Sequence, residues 1–325
     1  MKRLCFILMI LLVASALPSC VGSSNGLTPV IVMLDWVPNT NHTGLFVAQE
    51  EGYFIEEGLD VKIIQPGEVY PEAAVASGAA DFGISFQEQV TLARAEDVPI
   101  VSIAAIIQHN TSGFASLSGL NVKSPADFEG LSYGAWGSPS EEPTLRVLMQ
   151  DAGADFSKLK IVNVGYDDPL ALLATKKIDL AWIFYGWQGF QAKYQGIDLN
   201  VVMMKDYFGD IPDYYTPVII TSEAMIEINP EVVKRFMAAV SRGYEYTIAN
   251  PSQAAAILIG AVPELDPALV GASQDWISGY YRAESPIWGE QKTEVWQAYS
   301  DWMVSHDILS QPISISEAFT NEFLP

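Results

Sequence analysis

The chain is 325 residues long, 50% hydrophobic, with a formal charge of -22. That length and apolar content allow one large domain or two medium ones. The acidity argues against nucleic acid as a partner, because phosphates would be repelled, and more weakly against an anionic ligand steered in from a distance.

The N-terminus decides the compartment. Lys2 and Arg3 form a short basic region, residues 4–16 are almost wholly apolar, and Leu17-Pro18-Ser19-Cys20 follows. This reads as a secretory signal over residues 1–19, too short for a comfortable membrane span. A Cys three residues after Leu, with Ser before it, has the pattern of a bacterial lipobox. Cleavage there leaves Cys20 as the first residue, carrying lipid, at the extracytoplasmic face of the cell membrane. Pro18 is not the commonest residue at its place, and a plain secretory signal with an incidental Cys is the other reading. Residues 20–28, rich in Gly, Ser and Asn, suit a flexible tether. The other cysteine, Cys5, lies within the signal, so beyond Cys20 the chain has no thiol for a disulfide, a metal site or a nucleophile.

After the tether, short apolar runs alternate with amphipathic segments. Strands are expected at 30–34, 61–64, 82–85 and 100–107, with helices at 43–51, 71–76 and 88–95 between them. Residues 111–119, rich in Ser, Thr and Gly, form a candidate crossover. A second series follows. It has a short helix opened by Ser124 and Pro125, strands at 131–135, 159–164, 180–184 and 199–203, and helices at 141–152, 170–175 and 189–194. The Pro/Tyr-rich stretch 210–217 reads as a second crossover and 218–221 as one more strand. Helices are expected at 230–249, 251–259, 267–281 and 290–305, with Pro230, Pro251 and Pro267 at helix starts.

This pattern predicts an α/β fold of mostly parallel sheet in two lobes, 29–112 with 218–325 and 113–217, the helical tail packing on the first. Two crossovers make a hinged binding protein whose ligand lies between lobes at strand C-terminal ends. A phosphate loop and a His-Glu-x-x-His motif are both missing. His42, His109 and His306 are far apart in sequence, without metal spacing, so neither cofactor, metal nor catalysis is expected.

Three strand-to-helix turns carry the candidate site. The first, 34–43, holds Trp36, Asn39 and His42; the second, Ser85-Phe86-Gln87-Glu88, offers Phe86 and Glu88. The third, Tyr133-Gly134-Ala135-Trp136-Gly137-Ser138-Pro139-Ser140-Glu141, has glycines that let backbone approach a ligand, Trp136 to stack, Ser138, and Glu141 to accept from ligand N–H groups. His42 is read as a pocket hydrogen-bonding residue, or else as a helix-start residue bonded to nearby backbone. Asp35 is a turn or cap residue. Alternation places Trp182 and Phe184 on one strand face, as core, while Tyr185 and Trp187 beyond the strand are pocket candidates. Tyr214 or Tyr215 lines the cleft from the second crossover, and Trp276, Trp288, Trp296 and Trp302 pack the tail.

The block Asp35-Trp36-Val37-Pro38-Asn39 with His42, Gly44, Ala48, Gly52-Tyr53-Phe54 and Glu57-Gly58-Leu59-Asp60-Val61 resembles the periplasmic binding proteins related to thiamine-pyrimidine synthase. The resemblance extends over 108–113, adding Gln108, through the Trp136 turn, to Phe319-Thr320-Asn321-Glu322-Phe323. It implies a periplasmic-binding-protein type II fold, and a monomeric substrate-binding subunit that works with an ABC permease and ATPase. Relatives bind pyrimidines, flavin, sulfonates or nitrate. The synthase relatives carry a histidine at the position of His42 together with a cysteine-rich iron motif, and no cysteine follows Cys20 here.

Trp, Tyr, Phe, Asn, Gln and Glu suit a flat, neutral heteroaromatic ligand. A sulfonate or nitrate calls for Arg, Lys or a bare helix N-terminus, and the three turns contain no Arg or Lys. A thiamine pyrimidine precursor is therefore expected, with riboflavin as the alternative. The other classes to weigh are a pyrimidine synthase and a sensor lipoprotein.

Overall fold

The computed structural model describes residues 26–67, 69–165 and 167–325. The signal segment, Cys20 and most of the tether lie outside them. Thr28, assigned to the tether, already pairs with Leu59 in the first sheet.

The first series forms β1 (Thr28–Met33), β2 (Leu59–Ile64), β3 (Phe82–Ser85) and β4 (Ile100–Ala105). The second forms β5 (Ser112–Leu117), β6 (Ser132–Ala135), β7 (Lys160–Asn163), β8 (Leu180–Phe184) and β9 (Leu199–Met203). The chain then returns to the first sheet as β10 (Val218–Ser222). The sheets run β2-β1-β3-β10-β4 and β7-β6-β8-β5-β9. Both are mixed. β10 is antiparallel to β3 and β4, and β5 is antiparallel to β8 and β9. The antiparallel strands are the ones reached by crossing between lobes, which reverses the strand direction. The strands β3 and β4 and the inner part of β10 are buried, as expected where helices cover both faces of a sheet.

One expectation is overturned here. Residues 111–119 are not a crossover, because most of them form β5, inside the second sheet and buried from Ser112 to Ser116. Small residues sit there because β9 comes close: a Cβ on Gly113 would lie 2.6 Å from the Val202 carbonyl oxygen. The link between lobes is shorter, just before β5. Ile106 N–H donates to the Pro217 carbonyl at 3.0 Å, tying the two crossing strands together.

The helical tail also departs from expectation. Trp296 packs with Met33, Ile100 and Ile220 of the first lobe, but Tyr299, Trp302, Met303 and Leu309 join Phe114, Tyr133 and Trp182 in the second-lobe core. One helix, Thr293–Ser305, thus spans both lobes. Helix Pro230–Ala249 stays with the first. A Cβ on Gly243 would lie 2.1 Å from the Gly44 carbonyl oxygen, so the glycine lets this helix press on helix Thr43–Glu50. Next to it, Tyr244 Oη donates to the Asn41 carbonyl at 2.7 Å and fixes the turn that enters the latter helix.

His109 stands where the crossings meet. Its Nδ1 is 2.5 Å from Asp213 of the other crossing and its Nε2 is 2.9 Å from Glu284. The Asp213 hydrogen bond, helped by Glu284 and opposed by burial, raises its pKa from 6.5 to about 9. A pKa raised on folding stabilises fully below the unfolded value of 6.5 and ceases to do so as pH rises through about 9. The melting temperature should therefore fall from pH 7 to pH 10 more in the wild type than in His109→Gln. Parallel curves for the two proteins would contradict this role.

Candidate ligand cleft

A cleft of about 340 Å³ lies between the sheets, at the C-terminal ends of their strands. Each wall starts from a strand-to-helix turn.

In the first turn Asn39 caps the following residues, its Oδ1 accepting from Asn41 N–H at 2.9 Å. His42 Nδ1 accepts from Asn39 N–H at 3.2 Å, which leaves Nε2 to carry the proton and donate to Asp35 Oδ1 at 2.6 Å. His42 is fully buried and does not line the cleft; it is a strut holding Asp35, which does. The helix-start reading of His42 is thus nearer its placement, with Asp35 as the partner. Trp36 and Asn39 line the same wall.

In the second turn Phe86 faces Phe184 across the cleft, ring centroids 5.5 Å apart at 15°. Gln87 anchors the turn to the second crossing, accepting from Tyr215 N–H at 2.9 Å. Glu88 lines the cleft with only 5% of its surface exposed. Burial, with Glu141 adding repulsion and hydrogen bonds opposing, raises its carboxyl from 4.5 to about 7.

The third turn shows a different use of its glutamate. Glu141 Oε1 accepts from Tyr133 Oη at 2.6 Å and Trp136 N–H at 3.1 Å, and Oε2 from Gly137 and Ser138 N–H at 2.7 and 2.8 Å. With four donors satisfied and 1% exposure, it has nothing left to offer a ligand. Glu141 shapes the turn and is not among the residues lining the cleft. The turn it shapes presents Trp136 and Ser138 to the cleft.

The back wall is β8 and the chain beyond it. Trp182 donates from Nε1 to Ser112 Oγ at 2.7 Å, and its ring meets Trp136 edge-on at 5.3 Å. Trp182 and Phe184 both line the cleft, although strand alternation pointed to core. The strand face that looks into the second-lobe core also reaches the cleft mouth, so Trp182 serves both. A single π-type turn, Tyr185–Gly189, then displays Trp187 and Gln188. Tyr185 points away instead, packing edge-on against Trp276 at 5.4 Å. Gln108 is likewise diverted, its Nε2 donating to the Glu290 carbonyl at 2.9 Å. Tyr214 lines the cleft and Tyr215 does not.

The sequence reading missed Tyr70, Glu72, Asp167 and Gln188. The first three follow β2 or β7, at the same strand ends as the turns that were singled out, so position was the available signal. Burial raises the Glu72 carboxyl, opposed by the Ser85 hydroxyl that donates to it. Asp35, Glu72, Glu88 and Asp167 all face the cleft, and among the described residues lining it there is no Lys, Arg or His. The described residues also contain no group of His, Cys, Asp and Glu able to hold a metal. No described helix is long and apolar enough to cross a membrane.

The family described as NMT1/THI5 like matches residues 39–254. The formylaminopyrimidine-binding protein of Halalkalibacterium halodurans is 33% identical over 325 residues, covering 98% of each chain. The riboflavin-binding protein RibY of Chloroflexus aurantiacus is 24% identical over 96% of this chain and 91% of its own. Among solved structures, the alkanesulfonate-binding protein SsuA from Xanthomonas axonopodis pv. citri bound to MOPS superposes with a TM-score of 0.70 at 14% identity, over 92% of this chain and 99% of that one. At that identity the likeness concerns the fold, that of a periplasmic binding protein.

Proposed function

From the premise that the chain belongs to the NMT1/THI5-like family, we propose that it is the substrate-binding subunit of an ABC importer and captures a thiamine pyrimidine precursor. The observation that carries this reading is the cleft's chemistry. Aromatic rings (Trp36, Phe86, Trp136, Trp182, Phe184, Trp187) surround carboxylates and amides, with no cationic side chain among the described lining residues. Such a cleft stacks a flat ring by its faces and accepts from its N–H groups. A sulfonate or nitrate would find no charged donor there. The name of the Halalkalibacterium halodurans relative supports the same ligand class.

Riboflavin is the second reading. A further hollow, shared at Trp36, Pro169, Trp187 and Gln188 and lined also by Gln191, Gln195 and Asp266, continues the cleft outward and gives room for a hydroxylated chain. A synthase is disfavoured because the chain has two cysteines, Cys5 and Cys20, both ahead of the folded body.

The protein acts as a monomer on the extracytoplasmic face of the cell membrane, held by lipid on Cys20, and hands its ligand to a permease driven by an ATPase. Cys20→Ala should abolish acyl labelling and release the protein from membranes with ligand affinity unchanged. Unlabelled protein that stays tightly on membranes would refute the anchor. Native mass spectrometry tests the ligand class: the purified protein should carry a small heteroaromatic adduct, and a bound sulfonate would overturn the reading.

A further inference from the structure

Glu88 differs from its neighbours in how little it is satisfied. Oε1 accepts from Gln89 Nε2 at 3.2 Å and Ser138 Oγ at 3.5 Å, and Oε2 from Tyr214 Oη at 3.4 Å. Hydroxyl donors normally approach an acceptor to about 2.7–2.8 Å. Glu141 close by is bonded by its tyrosine hydroxyl at 2.6 Å. A carboxyl that is 5% exposed, faces the cleft and is held at these long distances, with the Ser140 hydroxyl also acting on it, has room for a closer partner.

Resting on the reading of the cleft as a heteroaromatic site, we propose that Glu88 reads the ligand's edge as a neutral carboxyl. In this arrangement it donates O–H to a ring nitrogen and accepts from the adjacent amino group, so that capture takes up one proton. An aminopyrimidine presents this edge, a lone pair beside an N–H. A carboxylate would set an oxygen lone pair against the ring nitrogen's lone pair. A carboxylic acid makes two parallel hydrogen bonds, and the complex keeps one proton between the partners.

The surroundings favour the neutral form. The groups facing Glu88 are Glu141 and Tyr133 of the third turn, Tyr214 of the second crossing and Tyr299 of the tail helix. Of these, Glu141 acts on Glu88 by charge repulsion, which disfavours the ionised form of Glu88. The Glu88 carboxyl, raised to about 7 by burial, is largely ionised at pH 8 before ligand arrives. Capture above that pH must draw a proton from solvent. The affinity for an aminopyrimidine should then weaken about tenfold per pH unit above 7.5. A flavin's imide edge, an N–H beside a carbonyl, would pair with the same neutral carboxyl, so the proton count tests the state of Glu88 and not the choice between the two ligand classes.

The test is calorimetric titration with 4-amino-5-hydroxymethyl-2-methylpyrimidine at pH 8, in two buffers of different ionisation enthalpy. The expected result is uptake of close to one proton per ligand in the wild type. Glu88→Gln, which cannot ionise, should bind more weakly, take up no proton, and show the same Kd at pH 6.5 and 8.5. Binding without proton uptake, or uptake that persists in Glu88→Gln, overturns the proposal while leaving the ligand reading intact. Failure of the wild type to bind the probe at any pH removes both. Melting curves show whether the variant is folded, and the wild-type proton count decides the question without it.

Discussion

Glu141→Ala is expected to cost about 3 kcal/mol of stability, because a hydrogen bond to a charged group contributes about 1.5–3 kcal/mol and the Tyr133 hydroxyl it abandons, on a fully buried ring, cannot turn to water. Gly137 is exposed and its N–H can find solvent, so the loss is not the sum of four bonds. Glu141→Gln should fall between, since one amide oxygen still accepts while the NH2 group opposes the remaining donors. Urea denaturation of the three proteins measures this directly. Wild-type stability in Glu141→Ala, combined with a large loss of ligand affinity, would instead make Glu141 a ligand contact.

Trp136→Ala is expected to act on the ligand more than on the fold. The ring is half-buried, lines the cleft, and touches Trp182 edge-on. Truncating an aromatic anchor that becomes buried by its ligand costs about 2 kcal/mol or more, which is roughly a 30-fold rise in Kd. Trp182→Ala gives the contrast. That ring is 8% exposed, packs on Phe114 and donates to Ser112, so its removal should also cost about 3–5 kcal/mol of stability. Calorimetric titration and melting of both variants separate the two roles. Unchanged affinity in Trp136→Ala would remove this turn from the site, and a loss of stability as large as that of Trp182→Ala would make Trp136 a packing residue.

Local punctuation was legible in the sequence. Proline at the first helical position located Pro230–Ala249, and apolar runs between turn residues located Phe82–Ser85 and Leu180–Phe184. Partnership was not legible. Residues 111–119 have the composition of a linker, and only the nearness of β9 to Gly113 explains why a central strand needs small residues there. Periodicity shows which face of helix Thr293–Ser305 is buried, but not that Trp296 meets one lobe and Tyr299 the other. The turns were found because strand C-terminal ends can be read from sequence. The division of labour inside them, Glu141 bonding backbone while Glu88 faces the cleft, depends on which donors lie within reach.

The central claim is that the cleft selects a flat ring rich in N–H donors over an anion. Its most direct test is titration of the purified protein at pH 7 with 4-amino-5-hydroxymethyl-2-methylpyrimidine, riboflavin and an alkanesulfonate, compared by calorimetry. The account predicts one-site binding of the aminopyrimidine, at least about 100-fold tighter than the sulfonate, a gap of roughly 2.7 kcal/mol. Tight binding of the sulfonate with none of either ring compound would contradict it.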